Sequence, residues 1–338
     1  VGIGEGPISK IHSVYCDDVR LTDDSGTWVA TDKAECSLNI HLGGPDQEAD
    51  SRHPEVPYNN TAYIGLTLRA QDGISGTPTI SSIVQGRIVW TPAGERYTTN
   101  PAWLVYDVLT NKRYALGIDP DLIDLESFEA SAAFCDELVD GAPRYTLNFS
   151  LDTQKPAIDH LRDMLSCFRG YIVARDKIRL CVDRSVSAPS KTITADNIVR
   201  GSFSWWQKPD ADTLNRITIE WVDPENYYER TTTAFEWWDD IVRRGIHEKK
   251  YSLLGITNAA QVGRMGYALL EASKKVIDFC SFSVSLKDCD IEAGDVIAVT
   301  YDLPGWTRKW MRVVAVRDDG NTDCAQLTCS EYVASCYD

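Results

Sequence analysis

The stretch DNIVRGSFSWWQKPDADTLNRITIEWVDPENYY, residues 196–228, decides how the chain folds. Two apolar runs rich in β-branched and aromatic residues, 198–206 and 214–222, flank a polar turn of Lys208, Pro209, Asp210 and Asp212. That pattern predicts two strands joined by a loop. In the second run Ile217, Ile219 and Trp221 alternate with Arg216, Thr218 and Glu220. Such alternation lays one face on a core and turns the other to water or a partner. Asp223-Pro224-Glu225-Asn226 then stops the ladder, because proline has no N–H to donate. Neither strand carries reactive chemistry, so the stretch is architecture.

Working outward toward the C-terminus, residues 229–257 are charged and aromatic. Residues 258–276 predict a helix with Val262, Met265, Leu269, Ala272 and Val276 facing inward. Gly263 and Gly266 each cost that helix about 1 kcal/mol, which close packing against another backbone would offset. Strands resume at 278–286, 295–301, 309–317 and 324–331, with turns at Gly294-Asp295 and Asp319-Gly320. Toward the N-terminus, residues 144–183 read as β-α-β-β. A strand at 145–151 leads to a helix capped by Asp152 or Thr153 and opened by Pro156, followed by a hairpin of 171–174 and 177–182. Asn100-Pro101 opens an earlier helix as cap and first-turn proline. Asp124 caps another that runs to Val139 and is closed by Gly141 and Pro143. Residues 1–98 read as all β, with short runs near 8–15, 28–31, 35–42, 62–70, 79–84 and 87–90 and a bulge or bend at Gly86. The polar, proline-bearing stretch 43–60 is expected to be a surface loop, mobile or partner-contacting.

The expected fold is therefore α+β, mainly β. Two small β-barrel-like domains, 1–98 and 196–338, are joined by a helical connector over 99–143 and a small β-α-β-β domain over 144–195. The second β domain carries a helical insertion over 229–277.

A chain of 338 residues predicts two or three domains. An apolar fraction of 43% with ten Trp suffices for real cores. No apolar run approaches the roughly 20 residues that span a bilayer, and no signal peptide is read ahead of the first strand. The net charge of −16 argues against ordinary nucleic-acid binding, which needs Lys and Arg to displace counterions. An acidic surface does suit a protein that must not stick to DNA passing near it. The ten Cys are read as small core hydrophobes rather than disulfides, which fits folding in a reducing cytosol. Cys36 falls on an alternating strand face, Cys135 on the apolar face of a helix, and Cys280 shares parity with Phe282, Val284 and Leu286.

Reactive chemistry is scarce. His247-Glu248 lacks the second His of a zinc-protease helix. Cys324 and Cys329 fall an odd number of positions apart on one strand, which sends them to opposite faces and argues against a shared metal. Gly2, Gly4 and Gly6 follow no strand and read as a turn, not a phosphate loop. His160 sits on the flank of a helix, as a solvated or core-edge histidine. Glu236 and Asp239, beside Trp237 and Trp238, are the candidate acid pair for a carbohydrate-active site. No catalytic, cofactor-binding or metal-ligating residue is assigned. The aromatic pairs Trp205-Trp206 and Trp237-Trp238 say more. Adjacent strand residues face opposite ways, so one Trp of each pair should leave its local core. A subunit or partner interface is the expected cover, or else a neighbouring domain of the same chain.

Several stretches resemble the phage tail tip attachment (host-specificity, lambda J-like) protein family. They are Glu5-Gly6-Pro7-Ile8, Asn100-Pro101-Ala102-Trp103 with Asp107, Leu109, Thr110-Asn111 and Arg113-Tyr114, the 198–203 segment, 215–224 with its Val-Asp-Pro, Gly255-Ile256-Thr257 and 293–297. Their order and spacing carry the likeness over nearly the whole chain. The resemblance implies a non-enzymatic tail-tip or baseplate hub without cofactors. Three copies, each with two barrel-like domains, would form a pseudo-sixfold ring against the hexameric tail tube or a distal tail protein. The ring would contact the tape-measure protein and a downstream tail fibre or receptor-binding protein, and DNA would pass through its lumen without specific binding. It also implies a place at the tail tip of the virion after assembly in the host bacterial cytoplasm. Family members usually continue into fibronectin-like and receptor-binding parts, which do not follow Asp338 here. The other reading is a carbohydrate-binding or depolymerase module of a phage tail, built on the Trp237 region.

Overall fold

The computed structural model describes residues 1–17, 19–29, 37–68, 78–286, 290–318 and 323–337. They form two compact units, residues 1–99 and 100–338, in an α+β fold that is mainly β. Among the described residues the sheets are open. Residues 30–31 of the expected 28–31 run, Glu35 and Cys36 of the 35–42 run, residues 69–70 of the 62–70 run and the Asp319-Gly320 turn lie outside them.

The first unit contains β1 (Gly2–Glu5), β2 (Ile8–Cys16), β3 (Val19–Arg20), β4 (Ser37–His41), β5 (Thr61–Thr67), β6 (Ile80–Val89) and β7 (Arg96–Tyr97). They pair as β1-β5-β4 and β3-β2-β6-β7 around a core of Ile8, Ile11, Val14, Cys16, Leu21, Ala62 and Ile64. Residues 79–84 and 87–90 do not form separate runs, because β6 passes straight through Gly86. The bulge lies opposite, on β2, where the register slips between Ile11 and Ser13. The loop at 43–60 is pinned from within. Gln47 accepts from the Gly43 N–H at 2.6 Å and donates to the carbonyls of Pro57, Tyr58 and Thr61. Asp50 is buried and accepts from both Arg52 Nε (2.7 Å) and Nη2 (2.6 Å).

The second unit opens with α1 (Pro101–Thr110). Asn100 caps it as predicted, accepting from the Ala102 N–H and donating to the Ala132 carbonyl, both at 3.0 Å. Pro101 sacrifices nothing there, since first-turn N–H groups have no partner inside the helix. α2 (Leu125–Asp136) turns Phe128, Ala132 and Cys135 inward. It stops short of Val139, because β8 (Leu138–Val139) and β9 (Ala142–Pro143) pair around Asp140 and Gly141. Both turn residues have positive φ, 55° and 82°, as a two-residue primed turn requires. α3 (Ala157–Ser166) buries Leu161, Met164 and Leu165 ahead of the hairpin β10 (Gly170–Ala174) and β11 (Ile178–Val182).

The strand expected at 145–151 does not form. Tyr145 and Leu147 are buried in alternation, but Tyr145 and Asn148 donate to the carbonyls of Cys135 and Gly255 outside any ladder, and Thr146 pairs with a side chain. Gln261, fully buried, accepts from the Thr146 N–H at 2.9 Å and donates to the carbonyls of Thr146 (3.1 Å) and Cys167 (2.9 Å).

The remaining elements are β12 (Lys191–Ile193), β13 (Ser204–Gln207), β14 (Arg216–Asp223), β15 (Glu229–Glu236), α4 (Trp238–Arg244), β16 (Glu248–Ser252), α5 (Ala259–Lys275), β17 (Asp278–Ser285), β18 (Val296–Tyr301), β19 (Trp306–Asp318) and β20 (Cys324–Glu331). The two strands flanking the polar turn do not pair with each other. β13 ends a six-stranded sheet ordered β12-β18-β19-β20-β17-β13, whereas β14 is the centre of β15-β14-β16. On β14, Ile217, Ile219 and Trp221 are buried, in the predicted period of two. The ladder stops at a 3-10 turn, Pro224–Asn226, where Asp223 accepts from the Glu225 N–H at 3.0 Å.

The β14 sheet shares one core with α1, α2, α3 and α5, and the six-stranded sheet has its own. Asp183 fastens the two layers, accepting from Arg169 at 2.7 Å and pairing with Arg312 of β19 at 3.0 Å. Cys280 and Cys329 face each other across β17 and β20 as buried free thiols. The hydrogen bond between them and burial push the Cys329 thiol far above its usual range.

Candidate assembly surface

Among the described residues β13 pairs on its β17 side alone, and its own residues are exposed. On it Trp205 lies opposite Cys280 and Trp206 opposite Phe279, so the two indoles point to opposite faces. Both remain exposed, at 39% and 43%. Neither is loose. Trp205 meets Trp306 edge-on at 6.4 Å, and Trp206 stacks on Phe279 at 5.9 Å. Exposed aromatics already held in one orientation lose little entropy on being covered.

A charged cluster braces this edge. Asp278 accepts from Gln207 at 2.9 Å and from the Trp205 N–H at 3.4 Å, and it pairs with Lys309. Lys309 also reaches Glu331 at 3.0 Å and lies over the Trp306 ring. Burial alone would raise the Asp278 carboxyl, but the hydrogen bonds from Lys309 and Gln207 outweigh it and hold the carboxyl below its usual 3.8. A depressed acid contributes stability that is present above its unfolded value and lost as pH falls through the folded one. Wild type should therefore lose unfolding stability as pH drops below about 4. In K309M burial is left to dominate, so this acid-side loss should shrink or reverse. Parallel urea midpoints for the two proteins across that range would show that the pair does not carry the effect.

The second aromatic pair is built differently from expectation. Trp237 and Trp238 do not lie in a strand: Trp237 stands at the N-cap of α4 and Trp238 begins the helix. Acids in the first turn (Asp239, Asp240) and cations in the last (Arg243, Arg244) complement the helix dipole and would have signalled the helix in sequence. Trp237 is half-buried against the core beneath Lys274, at 4.6 Å. α4 presents the reverse of an ordinary amphipathic helix. Its polar residue Asp240 faces the protein, accepting from Asn215 (3.2 Å) and Arg244 (3.0 Å), and Arg244 donates onward to the Asp210 carbonyl at 2.6 Å. Trp238 and Val242, one turn apart on one face, are 64% and 71% exposed, and Ile246 just beyond is 55% exposed. Sequence reasoning missed Val242 and Ile246. It also missed Tyr227 and Tyr228, exposed at the β14–β15 tip with left-handed φ of 51° and 60°.

The four paired tryptophans thus fall in two places, two on the edge strand β13 and two at the start of α4. The candidate acid pair is not assembled as a site: Glu236 is held by Arg216 at 2.6 Å, and Asp239 is exposed at the start of α4. A cleft of about 670 Å³ is lined instead by residues of the first unit, among them Asp50, Arg52, His53, Tyr58 and Tyr63. Its guanidinium, Arg52, is committed to Asp50 and Thr67. Gly65 makes room for that ion pair, since a Cβ there would stand 2.0 Å from Arg52 Nη2. Among the described residues no cluster of His, Cys, Asp and Glu is placed to hold a metal, and no helix is long and apolar enough to cross a membrane.

Comparison with known proteins gives a consistent picture. Residues 156–316 match the family described as "Putative phage tail protein". The chain is 26% identical over 308 residues to the tip attachment protein J of Escherichia phage SECphi27, a match spanning 83% of this chain and 25% of that protein. It is 25% identical over 323 residues to the baseplate hub protein pb3 of Escherichia phage T5, spanning 86% of this chain and 33% of that one. The chain thus covers a quarter to a third of the length of these relatives. Its fold matches, with a TM-score of 0.65 at 15% identity, a chain in the virion of a native gene transfer agent particle, over 100% of this chain and 78% of that one.

Proposed function

We propose that this chain, a phage tail-tip or baseplate hub protein, works as one of three copies in a ring that closes the tail tube. Each copy contributes two barrel-like β domains, so that three copies present six similar elements to the tube or a distal tail protein. The ring contacts the tape-measure protein on the inside and a fibre or receptor-binding protein beyond, and DNA leaves through its lumen. Its role is structural and non-enzymatic, and it joins the virion during assembly in the host cytoplasm. The observation that carries this reading is the braced, uncovered edge at β13, where Trp205 and Trp206 are held in place yet exposed. Large, partly apolar interfaces are what a ring requires.

Charge supports the same reading. Three copies of a chain of net charge −16 carry −48. DNA carries about one charge per 1.7 Å, so acidic walls repel it within a Debye length, roughly 10 Å at 0.1 M salt. A lumen of this kind guides without binding.

The test is W205A/W206A in tails assembled from the full set of tail proteins. Each truncation at an interface centre is expected to cost about 2 kcal/mol. Incorporation of the double variant should therefore fall steeply while the free chain keeps its circular dichroism spectrum. Normal incorporation would remove the β13 edge from the assembly contacts.

A further inference from the structure

The charged cluster at the β13 edge is arranged for more than an ion pair. Asp278 opens β17, Lys309 lies in β19, and Glu331 ends β20, the strand between them. The two oxygens of the Asp278 carboxyl have different surroundings. Oδ1 accepts from two neutral donors on β13, the Gln207 amide at 2.9 Å and the Trp205 indole N–H at 3.4 Å. Oδ2 meets the Lys309 ammonium. Glu331 is fixed through its Oε2, which accepts from the backbone N–H groups of Ile277 (3.1 Å) and Asp278 (3.2 Å). That leaves its Oε1 at 3.0 Å from Lys309 Nζ. No more than 22% of any of these three side chains is exposed, and the Trp306 ring lies 5.2 Å from Nζ. An amine against a carboxyl, neutral donors on one carboxyl oxygen and a second carboxylate beside the amine are the parts of an amide condensation.

In the free chain the pair is ionic, and an ammonium has no lone pair with which to attack. Water reaches the site across β13, whose residues are exposed, and solvates both charges. Resting on the hub reading above, we infer that covering β13 in the assembled tail seals this site, and that Lys309 and Asp278 then join in an intrachain amide bond. Removing water disfavours the separated charges, so a proton passes from the Lys309 ammonium to Asp278 Oδ2. The neutral amine, already held against its target, attacks Asp278 Cγ and forms the C–N bond. The negative charge that develops on Oδ1 is held by the Gln207 and Trp205 N–H groups. Glu331 takes a proton from the nitrogen and delivers it to Oδ2, the C–O bond breaks, and one water leaves. Nothing is oxidised or reduced, and no co-reactant is needed. The bond ties β17 to β19 across β20 and closes a loop between positions 31 apart, so the strand that carries the β13 edge cannot peel away.

The experiment compares the full chain expressed alone with the same chain in tails assembled from the full set of tail proteins. Both samples are denatured, digested with trypsin and measured by mass spectrometry. In tails, the peptide containing Asp278 should be joined to the one containing Lys309, with a summed mass short by one water. In the free chain the two peptides should appear separately at full mass. K309R keeps a cation at the site, but its guanidinium stays protonated and cannot condense. It should enter tails and show no joined peptide. E331Q should slow bond formation in tails at least about a hundredfold. Tails that contain the wild-type chain without the joined peptide overturn the inference, as does a joined peptide already complete in the free chain. Loss of water at Asp278 that survives K309R also overturns it, and assigns the loss to ring closure on the chain's own backbone. Each of these results leaves the hub reading standing, because that reading falls on a different observation, the absence of the chain from the tail tip.

Discussion

Gln261→Leu should cost the second unit about 3 kcal/mol, because it strands several buried polar groups worth roughly 1–3 kcal/mol each. The Gln261 amide is fully buried and stands in for a missing strand. Its oxygen accepts from the Thr146 N–H (2.9 Å) and Oγ1 (3.2 Å), and its nitrogen donates to the carbonyls of Thr146 and Cys167. Leucine matches the volume but takes the partner from two donors, the Thr146 N–H and hydroxyl, and from two carbonyl acceptors. Urea unfolding of the full chain should show the second unit's transition moving to lower denaturant, with amide exchange at Thr146 accelerated most. Gln261→Glu adds a sign test. A carboxylate facing two carbonyls is destabilised, so its pKa rises on folding. The variant should then be most stable below the ordinary Glu value of about 4.3 and lose stability as pH climbs through the folded value. A variant indifferent to pH would place this side chain in contact with water.

Gly263 and Gly266 should answer to alanine with opposite signs. A Cβ at Gly266 would stand 2.2 Å from the Phe235 ring, a buried side chain of β15 that α5 lies against. Overpacking of that kind costs about 1–3 kcal/mol, and valine there should approach or exceed the upper end. Around Gly263 nothing lies within 4 Å of such a Cβ. G263A should therefore gain about 0.5–1 kcal/mol by stiffening the unfolded chain and improving helix propensity. Thermal melts of the two single variants give the comparison directly. Equal shifts would mean that the Phe235 ring yields freely. The neighbour that demands glycine is thus an aromatic ring, not the backbone expected from sequence.

What sequence could and could not reveal follows from where the information sits. Asn100-Pro101 is legible because a helix start is fixed by residues adjacent in the chain. β14 is legible because its alternation records a buried face. The same alternation at Tyr145 and Leu147 misleads, since burial periodicity reports which side is covered and not what supplies the hydrogen bonds. There Thr146 finds a side chain 115 residues away, and Asn148 donates to the Gly255 carbonyl. The parting of β13 and β14 into separate sheets is likewise a matter of long-range pairing, hidden from any local window. At the candidate surface, Trp205 and Trp206 stand out as an adjacent aromatic pair on a strand. The Trp238–Val242–Ile246 stripe could have been found by giving weight to the acid-first, base-last pattern of residues 239–244. Its inward anchor on Asn215 depends on tertiary structure and leaves no local trace.

The central claim is that this chain is built to stand beside copies of itself around an axis. Imaging an assembled tail at a resolution that traces side chains tests it most directly. The account predicts three copies ringing the tail axis at the tip, with β13 edges covered by neighbours. A single copy off the axis, with Trp205 and Trp206 facing solvent, would contradict it.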